Sequence, residues 1–280
     1  MKAFLRFIAS LGLVFAAQEH TMPQTLDVMS FNIRLNTPAD GKNAWDNRKS
    51  ELVELLLYYE ADFIGLQEVL KDQLDFIDVK MVDYDWIGAG RDDGKDKGEF
   101  SPVFYNSTKF ELIRQHTFWL SENSTVPSVG WDAALERVCT YGTFVDNESK
   151  DTIHVFNTHF DHVGQQARLK SAELILSKIE EFNTPDSFVI LMGDLNCNPE
   201  SLPFQLLSAQ MDHCLAISQK GLYGPLGTFS GFDESKMVTE SIDHIFTRNF
   251  QVLSYRHIDD RMRYNNLVSD HLPVLVRLKW

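Results

Sequence analysis

The segment that constrains the fold most is an apolar stretch that ends in polar side chains, at residues 188–196. Its unbroken apolar run, Phe188–Met192, is expected of a strand that is covered on both faces. Gly193 interrupts the run, and Asp194 and Asn196 follow it two positions apart. An Asx turn explains such an Asp-x-Asn pattern. In extended backbone, residues two apart face the same way, and the pattern then predicts a carboxylate beside a carboxamide, which together suit a water, a metal ion or a phosphate oxygen.

The composition predicts one large globular domain. The chain has 280 residues, of which 44% are hydrophobic and 24% are charged, and this balance suffices for a substantial core. No internal repeat, low-complexity run or Pro/Gly-rich linker divides the sequence. Because Cys139, Cys197 and Cys214 lack the paired spacing of a zinc site, we expect them to be small buried side chains.

The N-terminus has the pattern of a secretory signal peptide. Basic residues precede a short apolar run that ends in Ala16 and Ala17, and the run is too short to span a bilayer as a helix. We therefore predict a signal peptide at residues 1–17, cleaved after Ala16 or Ala17, and an exported domain at 18–280, periplasmic or extracellular. The alternative is a ragged N-terminal helix or strand.

The net charge limits the partners that the protein can bind. Its formal net charge is −14, and removal of the basic signal segment makes the charge more negative. Such a protein repels polyanions at long range. The charge therefore disfavours extended nucleic acid and anionic membranes as partners, without excluding a local basic site.

The order of elements predicts the fold class. Apolar stripes at helical spacing predict helices at Arg48–Tyr59 and Gln165–Phe182. Most other segments have the composition of strands, and several strands follow one another without a helix between them, whereas a doubly wound sheet alternates strand and helix more strictly. We therefore predict an α/β fold: a four-layered α-β-β-α sandwich of two mostly antiparallel sheets.

Several predicted strands end in side chains that catalysis uses. Glu68 closes an apolar strand, where it either turns to solvent or binds a cation. His159, Asp161 and His162 close another, a pattern that fits either a metal site or structural histidines. The remaining polar residues at or near strand ends are Asn32, Asp194, Asn196, Asp243, Asp270 and His271.

The segments that carry these residues resemble those of a known family. In chain order they read Phe-Asn-Ile, Leu-Gln-Glu-Val, Asn-Thr-His-Phe-Asp, Gly-Asp-Leu-Asn, Ser-Ile-Asp-His-Ile-Phe and Ser-Asp-His-Leu-Pro. This series, from about Leu26 to Trp280, resembles the endonuclease/exonuclease/phosphatase superfamily, which includes pancreatic-type deoxyribonuclease, apurinic endonucleases, inositol-polyphosphate 5-phosphatases and neutral sphingomyelinases. The segments Pro-Ser-Val-Gly-Trp-Asp and Asn-Thr-His-Phe-Asp-His-Val-Gly look most similar to its exported bacterial metal-dependent hydrolases.

The resemblance implies a divalent cation, Mg²⁺ or Mn²⁺, with Glu68 as its principal ligand, helped by Asn32 and Asp270. Carboxylate and carboxamide oxygens independently suit these hard cations better than Zn²⁺. Hydrolysis of an anionic phosphodiester also needs a cation to neutralise developing charge, a base for the attacking water, and donors to the phosphate oxygens.

The resemblance also implies roles for the other polar strand ends. Asp194 would orient or deprotonate the attacking water, and His271 would contact the scissile phosphate, with Asp243 fixing its tautomer. Further contacts to the phosphate would come from His159, Asn196 and Arg137, the last in Leu-Glu-Arg-Val.

The sequence thus predicts an exported, monomeric, metal-dependent hydrolase of a phosphoester substrate by attack of water on phosphorus. Phosphodiesterase, nuclease, phosphatase and phospholipase activities stay open, because one fold serves several substrates, and the net charge favours a small or neutral-headgroup substrate. The alternative is a catalytically silent binding protein on the same scaffold. Such a relative should have lost Glu68, Asp194 or His271, and this chain keeps all three.

Overall fold

The structure, a computed structural model, describes residues 24–280, and the signal peptide predicted at 1–17 lies outside the described residues. Two β-sheets dominate it. The first contains β1 (Thr25–Asn32), β2 (Phe63–Gln67), β3 (Tyr84–Ile87), β4 (Val103–Asn106), β10 (Leu222–Tyr223), β12 (Gln251–His257) and β13 (Val274–Lys279). The second contains β5 (Phe110–Trp119), β6 (Val138–Asp146), β7 (Thr152–His159), β8 (Phe188–Asp194), β9 (Asp212–His213) and β11 (Asp243–Arg248).

The helices are few, and the longer ones cover the outer faces of the sheets. Their bounds are α1 (Trp45–Tyr59), α2 (Lys71–Lys80), α3 (Gln165–Phe182), α4 (Leu202–Ser208) and α5 (Cys214–Ile217), with a 3-10 helix at Pro38–Asn43. Among residues 24–280, no helix is long and apolar enough to cross a bilayer.

Three apolar clusters hold the four layers together. One lies between the sheets and includes Val28 and Phe63 of the first sheet with Val155 and Ile190 of the second. Another packs α1 and α2 on the first sheet, and a third packs α3 and α4 on the second. The predicted α-β-β-α sandwich is therefore confirmed.

The sheet order explains why the polar strand ends meet. The first sheet runs β10-β12-β13-β1-β2-β4-β3 and the second β5-β6-β7-β8-β11-β9. The pairs β1–β2, β7–β8 and β10–β12 are parallel, and the other named pairs are antiparallel. Because parallel strands end at the same edge, β1 and β2 present their last residues together, as do β7 and β8.

Most of the predicted elements are present, with a few differences. The helix predicted at Gln165–Phe182 has those bounds, whereas α1 begins at Trp45, earlier than the predicted Arg48. The sequence did not indicate α2 or β3, because α2 is short and only Leu74 and Ile77 give its buried face an apolar character. The prediction that the cysteines are buried is confirmed, and none of the three forms a disulfide.

Candidate active site

Strand pairing gathers the polar strand ends at one edge of the sandwich. β1 ends at Asn32, beside the end of β2, where Glu68 follows. β7 and β8 place His159 opposite Asp194. β11 runs antiparallel to β8 and begins with Asp243, also opposite Asp194. Residues far apart in sequence therefore converge because of strand register.

The Asp194 carboxylate is the centre of this cluster and is only 2% exposed. Its Oδ2 accepts a hydrogen bond from Asn32 Nδ2 at 2.9 Å and lies 3.4 Å from His159 Nε2 and 3.7 Å from His271 Nε2. Burial raises the pKa of Asp194, and the Asp243 charge raises it further, while His271 opposes the shift. A carboxylate with a raised pKa accepts a proton more readily near neutrality, so Asp194 is placed to act as a general base.

The backbone after Asp194 differs from the extended form that the sequence pattern predicted. Asn196 has a left-handed φ of 46°, and its N–H donates to Asp194 Oδ1 at 2.9 Å, which is the Asx-type turn that was the alternative. The turn still brings the two side chains together. Asn196 Nδ2 donates to His159 Nε2 and to the Phe160 carbonyl, both at 3.0 Å. The spatial prediction therefore holds, but through a turn.

Asp243 and His271 form a buried, hydrogen-bonded pair. His271 Nδ1 donates to Asp243 Oδ2 at 2.8 Å, Asp243 is fully buried and His271 is 4% exposed. Burial alone lowers the pKa of His271, but the charges of Asp243 and Asp194 outweigh it and hold the pKa well above its ordinary value. The ring is therefore an imidazolium near neutrality. With Nδ1 engaged, its Nε2–H is the donor available to a phosphate oxygen.

His159 has the opposite charge state. Burial, assisted by the nearby positive charge of Arg137, holds its pKa well below the ordinary value. Since Nε2 accepts a hydrogen bond from Asn196, the proton resides on Nδ1, which has no hydrogen-bond partner and lies 4.0 Å from Glu99 Oε2. Neutral His159 thus orients Asn196, and its contact with phosphate stays a prediction.

Glu68 and Asp270 form a pair of carboxylates that share one guanidinium. Arg34 Nη1 lies 3.8 Å from Glu68 Oε2, and Arg34 Nε lies 3.9 Å from Asp270 Oδ2. Asn32 Nδ2 donates to Glu68 Oε1 at 3.1 Å. Burial, together with the Glu68 charge, raises the pKa of Asp270. A cation bound between the carboxylates would relieve this repulsion.

The donor set of these residues fits a hard divalent cation. Glu68 and Asp270 supply the carboxylate oxygens that Mg²⁺ and Mn²⁺ prefer. Asn32 turns its amide nitrogen toward Glu68, while its Oδ1 accepts from the Arg34 N–H at 3.0 Å. The structure therefore brings the three predicted ligands together, with the two carboxylates as the direct oxygen donors.

A second acidic group lies beside the first. In the part of the chain that the structure describes, Asp194, Asp243 and His271 form a compact group. Each offers one atom that could bind a metal, and these atoms lie within 4.8 Å of one another. Protonated imidazole has no lone pair free for a metal, and its Nδ1 is already bonded to Asp243. We therefore assign this group to proton transfer and not to cation binding.

Three residues of the site have left-handed backbone. The φ angles are 58° at Arg34, 59° at Glu68 and 46° at Asn196. Such conformations are uncommon outside glycine, cost on the order of 1–3 kcal/mol each, and occur preferentially at functional sites. At Glu68 the turn ends the β2 ladder and directs the carboxylate toward Asn32.

Arg137 lies one residue before β6. It is 5% exposed, and its Nε and Nη1 have no hydrogen-bond partner. Its Nη2 contacts His162 Nδ1 at 3.1 Å, and its Nε lies 3.5 Å from Asp161 Oδ2. Buried N–H groups without partners are expected to meet a ligand or water, which agrees with the predicted phosphate contact.

The structure also decides the alternatives for the His-x-Asp-His segment. Asp161 Oδ1 accepts hydrogen bonds from the Val163 and Gly164 N–H groups, and its Oδ2 faces Arg137. Asp161 therefore shapes the entry to α3 and supports the arginine. His159 faces Asp194 and Asn196 instead, so the segment does not form a metal site of its own.

A cavity of about 390 Å³ is lined by Glu68, Arg137, His159, Asp194, Asn196, Asp270 and His271. It also contains residues that sequence reasoning missed, namely Arg34, Glu99 and Glu240. Glu99 receives a hydrogen bond from Arg91 Nη1 at 2.8 Å. A larger hollow of about 600 Å³, around Lys109 and Trp280, lies at the opposite ends of the strands and contains none of the predicted site residues.

The sequence profile of the Endonuclease/Exonuclease/phosphatase family matches residues 29–271. The chain belongs to this family. Members of the family are phosphoester hydrolases, including phosphatases and nucleases, and the gathered strand ends lie within the matched range.

Solved structures of this family resemble the protein closely. A family member from Bacteroides thetaiotaomicron is 34% identical, with a TM-score of 0.88 over 93% of this chain and 99% of that one. A mannosyl-6-phosphatase from the same organism is also 34% identical, with a TM-score of 0.87 over 91% of this chain and 100% of that one. The two likenesses cover the whole sandwich and its site edge.

A curated sequence relative is more distant and longer. An uncharacterized protein of Acanthamoeba polyphaga mimivirus is 24% identical over 92% of this chain, which spans 44% of the viral protein. The chain likewise spans 47% of protein angel of Drosophila melanogaster. The chain therefore corresponds to less than half the length of these curated relatives.

Proposed function

We propose that the protein is a divalent-cation-dependent phosphatase that hydrolyses a small phosphomonoester by direct attack of water on phosphorus. The observation that carries the proposal is the convergence of Asn32, His159 and His271 on one oxygen of Asp194, within 3.7 Å. Glu68 joins this cluster through Asn32. A base, a protonated imidazole and a carboxylate pair at one edge form a coherent set for phosphoester hydrolysis.

The choice of a phosphomonoester rests on charge and on similarity. The formal net charge of −14 disfavours long polyanions. The cavity of about 390 Å³ is at the lower end of the range for small-molecule sites. A protein that is 34% identical over nearly the whole chain is a mannosyl-6-phosphatase, which supports a phosphorylated sugar as the substrate class.

The chain's own residues account for proton transfer and for phosphate binding. Asp194, whose pKa is raised by burial, takes a proton from the attacking water as the water oxygen bonds to phosphorus, and Asn196 orients the water or a phosphate oxygen. The bond from phosphorus to the ester oxygen breaks, and the released alkoxide takes a proton from solvent water. The Nε2–H of His271 donates to a non-bridging oxygen, where negative charge develops. Arg137 donates its unpartnered Nη1–H groups to the same phosphoryl group, while its Nε faces Asp161.

Glu68 and Asp270, with Asn32, are the residues that would hold the cation. Mg²⁺ or Mn²⁺ bound there would neutralise the negative charge of the phosphate. Arg34, whose guanidinium is paired with Asp40 at 2.9 Å, also lies within 4 Å of both carboxylates. Its guanidinium limits the repulsion between them.

The proposal is tested by the hydrolysis of p-nitrophenyl phosphate, bis(p-nitrophenyl) phosphate and mannose 6-phosphate, with Mg²⁺ present. We expect the wild type to hydrolyse both monoesters faster than the diester. A preference for the diester would replace the phosphatase with a phosphodiesterase. A folded wild type that turns over none of these compounds would support the silent binding protein instead.

A further inference from the structure

A second hollow continues directly from the catalytic cavity. It has a volume of about 480 Å³ and lies between the start of α3 and the segment that follows β8. Asn196, Glu240 and Ile242 line both this hollow and the catalytic cavity. A molecule that is bound at Asp194 can therefore extend past Asn196 into this space, which we call the α3 groove.

The α3 groove has an apolar floor and a polar rim. Leu169, Cys197, Pro203 and Ile242 form the apolar part. The rim carries Gln165, Asn198, Glu200 and Glu240, whose side chains make no hydrogen bond or ion pair with any other residue in 24–280. Exposed polar side chains are ordinary by themselves. Here they border a concave surface that opens into the catalytic cavity, which is the usual form of a small-molecule site.

The charge of the rim limits the occupant. Glu200 and Glu240 contribute two carboxylates against the single guanidinium of Arg168, so the charged side chains that line the groove are net negative. A second phosphate or a nucleic-acid backbone would be repelled by this rim. A neutral unit is favoured, with hydroxyl groups for the amides and carboxylates and C–H faces for the apolar floor.

We propose that the α3 groove binds an uncharged, hydroxyl-rich unit linked to the phosphorylated one, so that the preferred substrate is a phosphorylated oligosaccharide. The proposal rests on the phosphatase function proposed above and names its substrate class. The size of the hollow agrees with it, because the groove is larger than the cavity that holds the catalytic side chains.

The test compares two substrates and two variants. The substrates are mannose 6-phosphate and a disaccharide in which the same phosphorylated mannose carries one unphosphorylated mannose. Gln165→Trp places a large ring in the α3 groove. Gln166→Trp is the matched control, because the neighbouring residue points about 100° further around the helix and does not line the groove. Both side chains are exposed, so neither change should affect folding, which thermal melts verify.

We expect the wild type and Gln166→Trp to prefer the disaccharide by about tenfold or more in kcat/KM, because binding energy from a remote unit lowers the barrier. Gln165→Trp should lose this preference and keep the wild-type rate on mannose 6-phosphate. Equal kcat/KM for the two substrates in the wild type would overturn the proposal, as would a preference that survives Gln165→Trp.

Three further outcomes separate the alternatives. The first outcome concerns a 5′-phosphorylated dinucleotide and its mononucleotide. If the wild type shows the same preference in kcat/KM for the dinucleotide, and Gln165→Trp loses it, the groove binds a nucleic-acid unit and the proposal is refuted. A folded wild type that hydrolyses p-nitrophenyl phosphate but neither sugar phosphate would refute the substrate class alone. One that hydrolyses none of the three compounds would refute the phosphatase function itself, and the substrate class with it.

Discussion

Asp243→Asn is the substitution that most sharply tests the proposed role of the buried histidine pair. Asp243 is fully buried, and its Oδ2 accepts the 2.8 Å hydrogen bond from His271 Nδ1. Asparagine has nearly the same shape, so the change removes the negative charge and leaves no cavity. The negative charge of Asp243 raises the pKa of His271, and burial lowers it. Without that charge the pKa of His271 falls, and the imidazolium form becomes less populated.

The size of the effect follows from the bond that is weakened. A hydrogen bond to a charged group contributes about 1.5–3 kcal/mol. If His271 donates to the phosphoryl group in the transition state, the loss of this hydrogen-bond energy raises the barrier by the same amount. Since about 1.36 kcal/mol corresponds to a factor of ten in rate, kcat should decrease by about 10- to 150-fold. Because the ring is still present, the defect should be smaller than that of His271→Ala.

The assay is the steady-state hydrolysis of p-nitrophenyl phosphate with saturating Mg²⁺, together with thermal melts. Asp212→Asn is the matched control, because Asp212 is exposed on β9, next to β11. We expect the control to keep the wild-type kcat. A well-folded Asp243→Asn variant with near-wild-type kcat would show that the charge of Asp243 does not support catalysis.

Three other predictions follow from the site, the core and the N-terminus. His271→Ala and Asp194→Ala should each decrease kcat by about 10²–10⁴-fold, and a folded alanine variant with full activity would contradict the assigned roles. His271→Ala should also lower the melting temperature, because it leaves the buried Asp243 carboxylate without its partner. His154 is buried with a pKa of about 4, below its value in the unfolded chain, so acid favours unfolding. Between pH 6.5 and about 4, this histidine should lower the unfolding free energy of the wild type by about 1.4 kcal/mol for each pH unit of acidification. Urea melts of His154→Phe should lack this part of the decline. Mass spectrometry of protein from its native cell should find an N-terminus near Gln18, whereas an intact Met1 would refute the predicted signal peptide.

The sequence predicted most of the fold because the relevant signals are local. The run Phe188–Met192 and the stripe of Gln165–Phe182 each depend on residues adjacent in the chain, and both elements are present. The α2 helix was missed because its face carries little apolar character. Local periodicity is informative only where a helix buries a clear stripe.

The site was predicted less completely because its geometry depends on register and on turns. Strand ends identified Asn32, His159 and His271, but only the pairing of strands shows that they meet at Asp194 Oδ2. Arg34 and Glu99 lie in loops, where no periodicity marks a buried side chain. Residues 88–98, just before Glu99, are rich in glycine and in charged residues, which is typical of a loop and gives no signal for a site carboxylate.

The central claim is that the gathered strand ends form a cation-dependent hydrolase site, and one measurement tests it most directly. The rate of p-nitrophenyl phosphate hydrolysis is followed after EDTA treatment, as Mg²⁺ is added back to the wild type, Glu68→Gln and Glu60→Gln. Glu60 is the matched control, because it is exposed and shares a left-handed backbone, with a φ of 46°. We expect EDTA to abolish activity, Mg²⁺ to restore it in the wild type and Glu60→Gln, and Glu68→Gln to stay inactive or to need far more Mg²⁺. Full activity of the EDTA-treated wild type, or a normal Mg²⁺ response in Glu68→Gln, would contradict the account.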